Sequence, residues 1–211
     1  MTVSAPSIDR QALVRRGLHL EYLTIGWNLV EGTIAVLAAL AAGSVALLGF
    51  GVDSFVESVS GAVLVWRLKG EREGASHQQI KKLDLQAHRL VSVSLFLLAA
   101  YVAVDASLAL WNREQPAPSM VGIALTLVSI CVMLWLARAK RQTAAGLGSR
   151  ALEADAFQTT ACFWLSVIAL TGIGLNAALG WWWADPVAAL GMTPLLVREG
   201  SEAWRGEDCG C

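Results

Sequence analysis

Two carboxylates, Asp53 and Glu57, lie near the middle of an apolar stretch that runs from Gly43 to Arg67. Because they are four residues apart, a helix projects both from one face, about one turn from each other, and their oxygens can converge on one point. Two like charges at that separation repel each other unless a proton or a cation lies between them. The spacing therefore predicts a site for a cation, for protons or for both.

The apolar segments contain further acids, and the sequence places no Lys or Arg among them. Burying one unpaired carboxylate in the middle of a membrane costs at least ~2.5–3.5 kcal/mol. We therefore expect a mobile cation or protons to supply the counter-charge, which favours a cation path. Alternatively, the paired carboxyls are protonated, hydrogen-bond to Ser or Thr on a neighbouring helix, and have only a structural role. The acids of the apolar segments are Glu31, Asp53, Glu57, Asp105, Asp155 and Asp185.

The composition is that of an integral membrane protein. Of 211 residues, 55% are hydrophobic and 16% are charged, and the mean hydropathy is +0.54, which is too apolar for a soluble domain of this size. A net charge of −1 gives no reason to expect binding to nucleic acid. No nucleophile paired with a base, phosphate-binding loop or nucleotide motif stands out, so we expect neither an enzyme, nor a resident cofactor, nor a pump driven by ATP.

The apolar segments predict an all-α membrane protein with six transmembrane helices. The sixth segment is short for a span, and Pro186 fits the first turn of its helix. Between the second and third segments, residues 68–88 form a polar, basic linker in which Gly70 and Gly74 are expected to interrupt helical structure. The predicted spans cover about residues 21–42, 43–67, 89–111, 119–137, 152–179 and 181–197.

The basic residues predict the orientation of the chain. Of the 16 Lys and Arg residues, only Arg113 falls on the side of the membrane opposite to the termini. Because cytoplasmic loops carry the excess of Lys and Arg, we expect a multi-pass protein of the cell (inner) membrane with both termini in the cytoplasm. Residues 1–18 would form a cytoplasmic segment, 19–199 the six-span domain and 200–211 a cytoplasmic tail. In that tail, Cys209 and Cys211 could capture a soft metal, although a solvated end is the simpler interpretation.

Polar residues at the start of the fifth span form a second candidate cluster. Asp155, Gln158 and Cys162 share one helical face at positions i, i+3 and i+7, and they supply a carboxylate, an amide and a thiol. Paired across the bundle with Asp53 and Glu57, Gln158 and Cys162 would complete the four ligands of a tetrahedral metal site.

The fifth-span ligands have alternatives. Thr159 or Thr160 could take a ligand position if the helix faces the pair in another register. Cys162 could be an ordinary small buried residue, and Gln158 could hydrogen-bond one helix to another.

Four further residues are candidates for a cation pathway. Asn28 and Glu31 on the first span could line the path or bond to other spans. Asp155, near the inner interface, could assist the access of cations, or it could lie exposed in the first turn of its helix, where its charge suits the helix dipole. Asp185 precedes Pro186, and the N-cap of the sixth helix is a better interpretation of it than a ligand.

Three stretches of the chain, GSVALLGFGVDSFVESVSG, ALEADAFQTTAC and WWWADPVAAL, resemble the second, fifth and sixth spans of the cation diffusion facilitator family of dimeric metal/proton antiporters. Asp53 and Glu57 match the two second-span metal ligands of that family. Gln158 and Cys162 fall where the family usually has His and Asp. The resemblance implies a homodimer, and it is closest to short members, because only residues 200–211 follow the predicted six-span domain.

The resemblance implies efflux of a divalent metal cation by proton antiport, with Zn²⁺ as the expected cargo. The change to Gln158 and Cys162 removes one fixed negative charge and one imidazole, which bears on both metal choice and proton coupling. A thiolate favours softer ions such as Zn²⁺, Cd²⁺ or Cu⁺, but a buried thiol must first lose its proton. The alternatives are an uncoupled cation channel, a metal-binding membrane regulator without transport, and a structural bundle.

Overall fold

The computed structural model describes residues 10–73 and 77–205, and these residues form six α-helices without a β-strand. A chain this apolar satisfies its backbone polar groups inside a bilayer by forming helices, and the prediction of an all-helical protein is confirmed. The predicted tail cluster of Cys209 and Cys211 lies outside the described residues. The helices are α1 (Arg10–Ala42), α2 (Val45–Glu73), α3 (His77–Asn112), α4 (Met120–Leu147), α5 (Arg150–Leu179) and α6 (Ala184–Arg205).

Five helices in the described part of the chain are long and apolar enough to cross a membrane, namely α1 to α5. The helix α6 has 22 residues and is about 33 Å long at 1.5 Å per residue, but charged residues near both its ends lower its hydropathy. A crossing by α6 and the side on which the termini lie stay predictions. The five candidate spans are Gln11–Ala42, Val45–Trp66, Leu95–Asn112, Met120–Leu147 and Asp155–Leu179.

Glycine and serine set the ends of the helices next to the candidate site. Between α1 and α2, Gly43 adopts a left-handed φ of 69°, and the Oγ of Ser44 accepts a hydrogen bond from the Leu47 amide at 3.1 Å. Between α4 and α5, Gly148 has a φ of 62° and Ser149 caps the start of α5. Glycine tolerates the left-handed conformation and serine satisfies a free amide at a helix start, so both connections are short and hold their helices side by side.

Two predicted helix boundaries are wrong. Gly70 lies inside α2, which continues to Glu73, and the fourth span, predicted to stop at residue 137, continues as α4 to Leu147. An interior glycine costs a helix only ~1 kcal/mol relative to alanine, and the Ala, Arg, Lys and Gln residues after position 137 are good helix formers. The basic residues therefore end the apolar run without ending the helix.

The six helices form a closed ring in the order α1, α2, α3, α6, α5 and α4, in which each packs against its neighbours. The helix α2 also contacts α5 across the ring, as well as α6. This arrangement surrounds α2 with four other helices, so its acidic face has no access to lipid. The interior location of α2 is what brings its polar residues into contact with those of α1 and α5.

The two ends of the bundle are defined by contacts between connections. At one end, the amide of Ala117 donates to the carbonyl of Ala42 at 2.8 Å, and Nδ2 of Asn176 donates to the carbonyl of Pro116 at 2.7 Å. This end, where α1 and α5 finish and α2 begins, is called the loop end below. At the opposite end, called the basic end, α1 and α5 begin and α2 and α4 finish, around an apolar cluster. Its buried members are Leu18, Leu64, Val65, Leu68, Ala144 and Leu152.

Two glycines allow α1 and α2 to approach closely beside the candidate site. A Cβ on Gly51 would lie 2.9 Å from Cβ of Ala35, and one on Gly32 would lie 2.9 Å from the carbonyl oxygen of Gly51. Both distances are shorter than van der Waals contact, so only a residue without a Cβ fits at these positions. The close approach places Asn28 on α1 within hydrogen-bonding distance of Glu57 on α2.

Candidate functional site

The acid pair lies in the interior of the bundle, where α1, α2 and α5 meet. Asp53 is 2% exposed and Glu57 is 1% exposed. Cys162 on α5 donates from Sγ to Oδ2 of Asp53 at 3.2 Å. Glu57 accepts from Oγ1 of Thr159 at 2.9 Å and from Nδ2 of Asn28 at 2.8 Å. The pair is thus held by a thiol, a hydroxyl and an amide, and neither acid forms an ion pair with Lys or Arg in the described residues.

The predicted set of Asp53, Glu57, Gln158 and Cys162 is brought together only in part. Gln158 is half-buried, and its Oε1 accepts from Oγ of Ser60 on α2 at 2.9 Å rather than contacting either acid through a hydrogen bond in the described residues. Thr159 occupies the place beside Glu57 instead, which is the alternative register of the fifth span. Within residues 10–73 and 77–205, no three His, Cys, Asp or Glu side chains lie close enough to share a metal ion.

Within the described residues, two buried acids close to the pair have no hydrogen-bond partner. Both carboxylate oxygens of Glu31 on α1 are unsatisfied, and its polar neighbours are Trp27 and Ser129. Both oxygens of Glu199 on α6 are also unsatisfied. An unsatisfied buried carboxylate is costly, so each of these acids, like Asp53 and Glu57, requires a proton or a cation for neutrality. Glu31 was a candidate pathway residue, whereas Glu199 was missed.

The prediction that no basic residue accompanies the buried acids is wrong. Lys140 on α4 is 0% exposed, and its Nζ donates to Oε2 of Glu21 at 3.2 Å, to Oδ2 of Asp155, and to Oγ1 of Thr159 at 3.2 Å. The error follows from the underestimated length of α4, which carries Lys140 into the bundle. Asp155 is accordingly buried and not exposed in a first helical turn.

Lys140 and Glu21 could have been found from helical spacing. Lys140 lies four residues after Leu136 and four before Ala144, both of which are buried, so it continues the interior face of α4. Glu21 lies seven residues before Asn28, on the same face of α1, and both are fully buried. A search for the helical period would have marked both residues as interior, Glu21 at the start of the first apolar run and Lys140 beyond the end of the fourth.

The sequence suggested that Asp185 is the N-cap of its own helix, but in the structure it is not. Helix α6 begins at Ala184, and the Asp185 carboxylate reaches the start of α2. Its Oδ1 accepts from Oγ of Ser44 at 2.6 Å, and its Oδ2 accepts from the amides of Val45 at 3.0 Å and Ala46 at 3.4 Å. A carboxylate at a helix N-terminus satisfies free amides and complements the helix dipole. Asp185 therefore fastens α6 to α2 at the loop end, about 12 Å along α2 from Asp53 at 1.5 Å per residue.

The acid pair has the chemistry of a cation site. Asp53 and Glu57 offer carboxylate oxygens, Asn28 has an unsatisfied Oδ1, and Cys162 offers a sulfur that becomes a strong ligand when it loses its proton. The two carboxylates and the sulfur can each bind a proton or a metal ion, whereas the amide oxygen can ligate only the metal, and a metal must displace the protons that the acids and the thiol carry. The arrangement can therefore exchange one kind of cation for the other.

These features define a polytopic helical membrane protein with a buried acidic site between three of its helices. Residues 23–204 match the cation efflux transmembrane domain, and the chain belongs to this family. The resemblance inferred from the sequence motifs is thereby confirmed. Family membership and the apolar helices together make it a multi-pass protein of the cell membrane.

Two curated relatives match most of the chain. An uncharacterized transporter, sll1263, from Synechocystis sp. is 27% identical over 173 residues, which cover 81% of this chain and 56% of that protein. The cation-efflux pump FieF from Shewanella oneidensis is 26% identical over 165 residues, which cover 75% of this chain and 54% of that protein. The chain thus spans about half the length of the curated relatives that it matches.

Proposed function

We propose that the protein moves a divalent metal cation, with Zn²⁺ as the expected cargo, out of the cytoplasm in exchange for protons. The observation that carries the proposal is the burial of Asp53 and Glu57 without any ion-pair partner in the described residues. Two buried acids of this kind require a cation or protons for neutrality. Efflux as the direction of transport is supported by the family of the chain and by its relative named a cation-efflux pump.

The exchange follows from competition at the same atoms. Metal arriving from the basic end, which the charge distribution predicts to be cytoplasmic, would displace protons from Asp53, Glu57 and Cys162. A rocking motion of the helices would then open the pair toward the loop end, where protons would displace the metal. The site remains close to neutral with either cargo. During the rocking motion, the two acids are therefore never both ionised and unpaired in the low-dielectric interior.

The ligand set supports a transition metal over an alkaline-earth cation. Zn²⁺ binds sulfur, nitrogen and oxygen ligands, whereas Mg²⁺ and Ca²⁺ select oxygen ligands alone. Cys162 donates to Asp53 and is therefore positioned to bind a metal together with it. The additional ligands, Thr159 or a reoriented Gln158, would join when the metal draws the helices together. A homodimer, as the resemblance implies, is part of the proposal.

The test is metal flux in proteoliposomes. The purified protein is reconstituted with a metal-sensitive dye, and Zn²⁺, Cd²⁺, Mn²⁺ and Fe²⁺ uptake is measured with and without an imposed pH gradient. We expect Zn²⁺ and Cd²⁺ flux that depends on the gradient. In Asp53→Ala this flux should be lost. The control is Asp105→Asn, which changes a half-buried acid of α3 and should transport as the wild type does.

The outcomes separate the alternatives. Unchanged flux in Asp53→Ala would remove the proposed site. Flux that ignores the pH gradient would indicate an uncoupled channel, and tight Zn²⁺ binding without any flux would indicate a metal-binding regulator. Size-exclusion chromatography coupled to light scattering establishes that each variant is folded and gives the mass of the oligomer, so it also tests the homodimer.

A further inference from the structure

A second group of buried charges lies between the acid pair and the basic end. Lys140 from α4 meets Glu21 from α1 and Asp155 from α5, and its Nζ donates to one oxygen of each carboxylate. Lys140 and Glu21 are fully buried and Asp155 is nearly so. Three different helices thus deliver one base and two acids to one interior point, at the cost of removing all three charges from water.

This group contains two carboxyl groups but only one ammonium. Oε1 of Glu21 and Oδ1 of Asp155, the oxygens that do not contact Lys140, have no hydrogen-bond partner in the described part of the chain. A buried ion pair offsets the cost of desolvation only when the remaining lone pairs are satisfied as well. One ammonium does not satisfy two carboxylates, so the group has vacant acceptor capacity for a second or larger positive charge.

The group is connected to the acid pair through one hydroxyl. Oγ1 of Thr159 accepts from Lys140 at 3.2 Å, and its single proton can go to Oε1 of Glu57 at 2.9 Å or to the carbonyl of Asp155 at 3.1 Å. Asp155 and Thr159 are one helical turn apart. On the other side, the apolar cluster at the basic end separates the group from the end of the bundle.

We propose that Glu21 and Asp155, with the Thr159 hydroxyl, form a second divalent-cation site, which the Lys140 ammonium fills when no metal is bound. All three metal ligands are oxygens, so the site suits hard ions and differs in this from the acid pair with its thiol. If the protein transports metal as proposed above, an ion from the basic end would bind at this second site before it reaches Asp53, and this role rests on that proposed function. Binding of a metal to Glu21 and Asp155 does not depend on that function.

The test counts bound Mn²⁺ after removal of the tethered ammonium. In Lys140→Met the two carboxylates lose their resident cation. At Mn²⁺ concentrations too low to displace the ammonium in the wild type, we expect the variant to bind one more Mn²⁺ per chain, measured by equilibrium dialysis and by electron paramagnetic resonance of the bound ion. The additional ion should disappear in Lys140→Met/Asp155→Asn. The matched control is Arg141→Met, which removes the same charge from the next, exposed position of α4 and should bind no additional ion.

A folded Lys140→Met protein without additional Mn²⁺ would overturn the proposal, as would an additional ion that persists in the double variant. Should Lys140→Met not fold, the second measurement keeps Lys140 and titrates Mn²⁺ into Asp53→Asn, where the acid pair is disabled. There we expect weak binding that Glu21→Gln, which removes a ligand, reduces by at least the roughly 10–100-fold that loss of an outer partner alone costs a metal site. No binding, or binding unaffected by Glu21→Gln, would also overturn the proposal. None of these counts requires transport, so failure of the proposed function would be seen separately in the flux assay.

Discussion

Cys162 on α5 donates its thiol proton to Oδ2 of Asp53 on α2, with the sulfur and the oxygen 3.2 Å apart. The bond crosses the interior of the bundle and joins a soft sulfur to a hard carboxylate oxygen. A thiol that donates a hydrogen bond is protonated, so a metal ion can use the sulfur only after this proton has left. Cys162 therefore links the choice of metal to the release of a proton at one position.

Cys162→Ser should weaken the binding of soft metals selectively. A hydroxyl can replace the hydrogen bond to Asp53 but is a poor ligand for Cd²⁺ and Zn²⁺. We expect Cd²⁺ affinity to fall by at least the roughly 10–100-fold typical of a damaged metal site, while Mn²⁺ affinity changes little. Titration calorimetry measures both, and Cys131→Ser, at an exposed position of α4, is the control. Equal losses for Cd²⁺ and Mn²⁺ would show that the sulfur is not a ligand.

Metal binding should release protons, and the Cys162→Ser variant should release about one fewer per metal ion, because a hydroxyl stays protonated where a thiol ligand does not. For the same reason, the apparent metal affinity should fall as the pH is lowered, since protons compete for Asp53, Glu57 and the thiol. Zn²⁺ is added to protein in weakly buffered solution with a pH-sensitive dye. Identical proton release in wild type and variant would contradict a role for the thiol.

The acid pair was predictable because it is a local feature of one helix. Asp53 and Glu57 are four residues apart in an apolar segment, and any helix there puts them on one face. Their burial followed from the cost of exposing acids to lipid. The glycines that let α1 approach α2 closely are also visible in the sequence, but which helix they face is decided by packing and cannot be read from spacing.

The partner of the pair on α5 was not predictable to the residue. Neighbouring residues of a helix point about 100° apart. Whether Gln158 or Thr159 faces the acid pair therefore depends on the rotation of α5 about its own axis, which is fixed by its contacts with other helices. In the structure, Gln158 bonds to Ser60 and Thr159 bonds to Glu57. Lys140 was missed for another reason, since the basic residues around it ended the apolar run while the helix continued into the bundle.

Gly51→Ala should push α1 away from α2 and destabilise the bundle. The added Cβ would lie 2.9 Å from Cβ of Ala35 and 3.0 Å from the amide nitrogen of Val36, and relieving such overlap in a packed interior typically costs ~1–3 kcal/mol. Gly174→Ala is the matched control, because its Cβ would meet nothing within 4 Å and alanine is the better helix former. Thermal unfolding in detergent should show a lower midpoint for Gly51→Ala alone, and equal midpoints would argue against close packing at Gly51.

Asp185→Asn should lower stability without removing metal binding at Asp53. The amide can still accept from Ser44 through its oxygen, but it cannot accept from the α2 amides of Val45 and Ala46 with a charged oxygen. Hydrogen bonds to charged groups contribute ~1.5–3 kcal/mol, so we expect a loss of that order in the free energy of unfolding, measured by denaturant titration in detergent, with Asp105→Asn as the control. Equilibrium dialysis of Zn²⁺ on the same samples distinguishes a structural role of Asp185 from a role as a metal ligand on the cation pathway. An Asp185→Asn protein of normal stability that no longer binds Zn²⁺ would show that Asp185 is a ligand. Lower stability with unchanged Zn²⁺ binding would show that the Asp185 carboxylate fastens α6 to α2 and that the cation binds at the acids deeper in the bundle.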